Sequence, residues 1–159
     1  MQMFRPIVPK AADRVGWGVL ALLVTRAPDG GDVAARLGEL GVQVRVHDTL
    51  ADLLAHGIAK GVWVDMVVID CDQAGGVATG WWVLDVVRSV STSVPVMLIA
   101  SDCAEQCFPT TCASPFLLRA PVSTIALRIA LETAFPIRWP DPIGRPDQPE
   151  SVGARGTRP

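Results

Sequence analysis

The stretch Val64–Asp70, VDMVVID, followed by Cys71 and Asp72, constrains the fold more than any other part of this 159-residue chain. A carboxylate at Asp65 precedes four apolar residues in a row, Met66 to Ile69, and a second carboxylate, Asp70, closes the run. A strand exposed on one face alternates apolar with polar residues. An unbroken Met-Val-Val-Ile run instead needs cover on both faces, as in the middle of a parallel sheet. An acid at the C-terminal end of such a strand falls where open α/β sheets place their ligands.

The remaining elements follow from period and punctuation. Val19–Val24 and Pro95–Ala100 read as further apolar strands, the second led by a proline where a missing N–H is tolerated. Val42, Val44 and Val46 alternate with Gln43, Arg45 and His47, the pattern of a strand at a sheet edge, and Pro115–Arg119 is a last short strand. Helical spacing predicts helices over Asp32–Leu40, Leu50–Ala59, Gly80–Val90 and Ser123–Phe135, with Gly41, Gly61 and Pro136 as stops. Gln73–Gly76 reads as a loop. Asp102-x-x-Glu105 resembles a capping box opening a short helix that Pro109 truncates. Strands alternating with helices imply a parallel sheet with right-handed crossovers and helices on both faces. Residues 1–16 read as a leader, 17–135 as the domain, and 136–159, rich in Pro, Gly and Arg, as a tail with little to bury.

Half of the residues are hydrophobic and 19% charged, enough for a sizeable core. A net charge of −2 without a basic stripe speaks against nucleic-acid binding. The apolar run Val15–Val24 is too short to span a bilayer and lacks the layout of a signal peptide, so no membrane role and a cytoplasmic location are expected.

From Val19 to Phe135 the chain resembles the receiver domain of two-component response regulators. The resemblance rests on VDMVVID, on Thr79-Gly80 after it, on Pro95-Val-Met-Leu-Ile-Ala, and on Ala120-Pro121 where receivers carry Lys-Pro. It implies a doubly wound five-stranded parallel sheet of order 2-1-3-4-5, a receiver or flavodoxin-like fold, with Asp70 at the phosphoacceptor position. It also implies a site in which two acids after the first strand help hold Mg²⁺, while a Thr or Ser and a Lys meet the phosphoryl oxygens. A dianion arriving beside carboxylates needs those cations.

Here the acid pair falls on Val24-Thr25 or Thr25-Arg26, and neither register supplies an acid. The hydroxyl slot falls on Ala100, with Ser101 next to it, and the lysine slot on Ala120, with Arg119 one residue earlier. The pocket residues are then Thr25, Arg26, Asp70, Asp72, Ala100, Ser101 and Ala120, with Asp70 a vestigial phosphoacceptor and no metal or cofactor expected. Arg26 either pairs with Asp70 or Asp72 as a fixed cation or points to water. Asp29 and Asp32 read as a turn residue and a helix cap, with a rebuilt Mg²⁺ site at Asp70, Asp72 and Asp29 as the competing reading. The four cysteines, Cys71, Cys103, Cys107 and Cys112, lack zinc-site spacing. Cys71 and Cys103 are expected near each other past adjacent strand ends, which leaves a thiol sensor as a third reading. A shorter resemblance, of LLVTRAPDGGDVAARLGELGVQV to the opening of uroporphyrinogen-III synthases, covers one βαβ segment and reflects the grammar such units share.

Apolar residues also fall where a solitary receiver carries polar ones. Trp82 and Val86 lie on the outer face of one helix, Ile125 and Ile129 on that of the last. Receivers commonly associate through their fourth helix, fifth strand and fifth helix, so Phe116 and Leu118 join the expected interface. The chain is thus read as a non-enzymatic pseudo-receiver, a protein-interaction module that pairs with itself or with a histidine kinase or other signalling protein. No stretch reads as an appended output domain.

Overall fold

In a computed structural model, residues 15–53, 55 and 64–136 are described. Five strands form one wholly parallel sheet in the order β2-β1-β3-β4-β5. They are β1 (Leu20–Val24), β2 (Gln43–His47), β3 (Met66–Asp70), β4 (Val96–Ala100) and β5 (Phe116–Arg119). The three apolar runs of the sequence become the three inner strands, every residue of β4 is buried, and the alternating run becomes the outermost strand β2. Asp65, the acid ahead of β3, accepts the Leu20 N–H through Oδ2 at 2.8 Å and so fastens β3 to the start of β1.

The helices are α1 (Gly31–Glu39), α2 (Leu50–Asp52), α3 (Cys71–Ala74), α4 (Val77–Val90) and α5 (Thr124–Ala134). The alternation of strand residues divides the core in two. Ala21, Leu23, Met66, Val68, Met97, Ile99 and Leu118 face α1 and α5, whereas Leu22, Val24, Val67, Ile69, Val96 and Leu98 face α4 and Leu53. Ser123 caps α5 through a bond from Ala126 N to Ser123 Oγ of 3.1 Å, and Thr49 opens α2 in the same way.

Four expectations need correction. The stretch 73–76 is not all loop, because Cys71–Ala74 winds into a helical turn closed by Gly75 in the left-handed region. Helix α4 starts at Val77, ahead of Gly80. Asp32 does not cap α1; Gly30 holds that position and Asp32 lies in the first turn, where its charge favours the helix N-terminus. No helix forms after Asp102: Cys107 instead exchanges two backbone bonds, 2.9 and 3.0 Å, with Leu117 as an antiparallel neighbour of β5.

Arginines hold that helix-free connection. Arg119 Nε donates to Cys103 O at 2.9 Å and its guanidinium also bonds Ala104 O, while Arg88 in α4 reaches Val94 O and Cys112 O. Val15 and Gly16, placed in the leader by sequence, are part of the folded body. Val15 packs in the core and Gly16 N–H bonds Leu40 O at 2.8 Å. The rest of the leader, the tail from 137 onward, and the second half of the helix expected at 50–59, with Leu54, Ile58 and Gly61, lie outside the described residues.

Candidate functional site

The C-terminal ends of β1, β3 and β4 converge on the expected pocket. Parallel register pairs Val24 with Ile69, so the next residues, Thr25 and Asp70, stand side by side where the strands end. Thr25 is fully buried and donates its hydroxyl to Asp70 Oδ2 at 2.9 Å, while Thr25 Oγ1 accepts the Ala27 N–H at 3.1 Å. One hydroxyl therefore occupies the acid position that both registers share and serves Asp70 as a donor.

The second acid is satisfied in a similar way from β4. Ser101 N–H lies 3.0 and 3.1 Å from the two carboxylate oxygens of Asp72, and Ser101 Oγ donates to Oδ1 at 3.0 Å. Ser101 is thus tied to Asp72. Ala100, the residue in the hydroxyl slot, presents a buried methyl group. Ala120 N–H bonds Ala100 O at 3.0 Å, and its side chain brings no charge to the lysine slot. Arg119 does not substitute for that lysine, since its guanidinium is committed to the Cys103 and Ala104 carbonyls. An open cleft of about 380 Å³ beside it is lined by Gln106, Arg119, Ala120, Pro121 and Ser123.

Arg26 is exposed and forms neither a hydrogen bond nor an ion pair with Asp70 or Asp72 among the described residues. It lines a separate small cleft with Asp48, Thr49 and Thr79, so of the two readings of Arg26 the paired one does not hold. Asp29 is exposed in a turn at φ 53°. Among the described residues no three His, Cys, Asp or Glu side chains are grouped to hold a metal ion.

Cys71 is buried against α4 and is a free thiol, like Cys103, Cys107 and Cys112. It lies within the apolar cluster against which Cys103 also packs. Burial pushes the Cys71 thiol up from 9.0 to about 12; a backbone hydrogen bond at Ile99 offsets part of this and the nearby carboxylates of Asp70, Asp72 and Asp102 add to it. A thiol held protonated is a poor nucleophile. Native protein treated with a thiol reagent at pH 8 should label Cys107, Cys103 and Cys112 ahead of Cys71, which reacts only on unfolding; peptide mass mapping reads the order. Because the folded state holds the proton more tightly, this contribution to stability is complete below pH 9 and is lost as pH rises from 9 to about 12. The chain has no tyrosine and only two lysines, Lys10 and Lys60, so few other groups titrate there. Cys71→Ala should flatten the alkaline limb of a stability curve measured by urea unfolding.

The expected contact residues divide by exposure. Ile125 and Ile129 are 66% and 42% exposed and Trp82 57%, with Val86 half-buried. Phe116 and Leu118 are buried, at 4% and 0%, and cannot form a surface. The segment expected to form a short helix folds back along β5, placing Phe108 edge-on to Phe116 with ring centroids 6.5 Å apart, while Leu118 lies in the core cluster that α5 shares. Trp81, also exposed, was not singled out by sequence; two successive tryptophans on one helix cannot both enter a narrow buried stripe, and that pair was the available signal.

Comparisons with known proteins bear on the fold. No family model matches the chain, and no curated protein does. Among solved structures, the non-phosphorylated HemR receiver domain from Leptospira biflexa superposes with a TM-score of 0.56 at 16% identity, covering 77% of this chain and 98% of that one. A response regulator receiver protein from Sinorhizobium medicae gives 0.58 at 20% identity, over 76% and 97%. A CheY-like receiver domain from Methylobacillus flagellatus gives 0.57 at 18%, over 73% and 98%. The protein has the fold of response-regulator receiver domains, a five-stranded parallel sheet of order 2-1-3-4-5. No helix among the described residues is long and apolar enough to cross a membrane.

Proposed function

We propose that this domain is a pseudo-receiver, a signalling module that works through protein contacts, chiefly with a second copy of itself, and does not accumulate aspartyl phosphate. The observation that carries this reading is the Thr25–Asp70 bond of 2.9 Å. Where a receiver needs an acid to share a divalent cation with its phosphoacceptor, this chain supplies a buried hydroxyl donor. A phosphoryl group on Asp70 would find no hydroxyl from position 100 and no ammonium from position 120, since both are alanine. Asp72, the remaining acid of the pocket, is held by Ser101. The outward isoleucines of α5 are the surface through which such a module acts, because a two-fold contact covers the same patch on both copies.

Intact mass after incubation with Mg²⁺ and a small phosphodonor tests the first half. An unchanged mass is expected, and a stoichiometric gain of one phosphoryl group that disappears in Asp70→Asn overturns it. Light scattering across a concentration series tests the second. A dimer is expected, which Ile129→Glu converts to monomer while the far-UV circular dichroism is retained, whereas Trp82→Glu changes assembly less. A wild-type monomer at high concentration removes self-association from the proposal.

A further inference from the structure

The solvent side of α5 carries more than its two isoleucines. Ala126, Leu127, Ala130 and Leu131 face the core, which leaves Ile125, Arg128, Ile129 and Glu132 together on the opposite side. Arg128 and Glu132 are four residues apart and opposite in charge, yet among the described residues no hydrogen bond or ion pair joins them, and Arg128 Nε is buried without a partner there. The order explains part of this, since a base placed N-terminal to an acid is the weaker arrangement for a pair within one helix. On the Thr124 side the strip is bounded by α1, whose Arg36 donates to Thr124 Oγ1 at 3.3 Å.

We infer that two copies pair through α5 in antiparallel register, with Arg128 of each copy opposite Glu132 of the other. This rests on the self-associating reading above and adds the contact and its register. A two-fold axis that faces Arg128 with Glu132 generates the second such pair from the first. The same operation brings the two Ile129 side chains together and carries each Ile125 toward the end of the other copy's helix, near Phe135 and Pro136. Matching Ile125 directly with Ile129 is the alternative register, but it sets the two Arg128 side chains next to each other, and like charges in a desolvated contact are strongly disfavoured. A parallel pairing would align arginine with arginine and glutamate with glutamate. The antiparallel arrangement also opposes the two helix dipoles.

Charge reversal on the full-length protein separates the possibilities, read by sedimentation velocity at matched concentrations with thermal melts as a folding control. Arg128→Glu and Glu132→Arg should each weaken dimerisation by about tenfold or more, and the double variant should recover it. Mixing the two single variants should yield a heterodimer, because each then supplies the charge the other lacks. If both singles are monomers and neither the double variant nor the mixture associates, the charge pairing is overturned. If the wild type is a dimer indifferent to both reversals, the α5 contact is wrong and self-association runs through another surface. A monomeric wild type overturns the contact together with the reading on which it rests.

Discussion

Thr25→Asp should destabilise the protein by about 1–3 kcal/mol at neutral pH in low salt, and Mg²⁺ should restore most of the loss. The buried Thr25 hydroxyl now donates to Asp70 Oδ2 at 2.9 Å. A carboxylate in its place sets two negative charges at nearly that separation, and such a pair cannot both ionise without a proton or a cation between them. The loss should therefore shrink at pH 4, where one carboxyl keeps its proton, and grow toward pH 8. Thr25→Val provides the contrast. It removes the donor to Asp70 and the acceptor of the Ala27 N–H, at a cost of about 1–3 kcal/mol that Mg²⁺ cannot recover. Urea unfolding of both variants at two pH values, with and without Mg²⁺, reads all of these. A Thr25→Asp variant indifferent to pH and to Mg²⁺ would mean that the hydroxyl is not what balances Asp70.

Gly80→Ala should cost about 1–3 kcal/mol, although alanine is the better helix former by ~1 kcal/mol. A Cβ at this position would stand 2.7 Å from Cys71 Sγ and 3.1 Å from Leu98 Cδ2, so these buried side chains or the helix itself have to give way. Since Cys71 directly follows Asp70, the displacement would reach the acid pocket. Removing the sulfur by Cys71→Ala should absorb part of the strain, and a double-mutant cycle should return a coupling on the order of 1 kcal/mol. Strict additivity of the two substitutions would mean that the close approach is relaxed elsewhere.

The inner strands could be read from the chain because burial on both faces demands uninterrupted apolar residues, and Met66–Ile69 and Val96–Ala100 supply them. Thr25 could be placed beside Asp70 because either register of the acid-pair slot includes it. That its hydroxyl, and not the Arg26 guanidinium, would serve the carboxylate depends on which side chain turns inward at the end of β1, and local sequence does not encode that. The Asp102–Glu105 capping box failed for a related reason. Its backbone is claimed by partners remote in sequence, Leu117 for Cys107 and Arg119 for Cys103 and Ala104, and tertiary bonds outweigh a local capping preference. Cys71–Ala74 is too short for any helical period to register. Phe116 and Leu118 were misplaced because their burial depends on where the preceding connection lies, which no periodicity within β5 reports.

The fold-back of Cys107 onto β5 limits how a partner can bind. The last strand of an open sheet normally presents free amides on which a foreign extended peptide can build another strand. Here the Leu117 N–H is taken by Cys107 O, and the Arg119 N–H by Gln106 Oε1 at 3.2 Å, so the outward donors of that margin are already used. The opposite margin, β2, shows Gln43 and Arg45 to water. A binding partner could not extend the sheet beyond β5 without displacing these bonds, which favours contacts through side chains displayed on helices on that side. Such recognition can be retuned one residue at a time without touching the hydrogen-bonded frame.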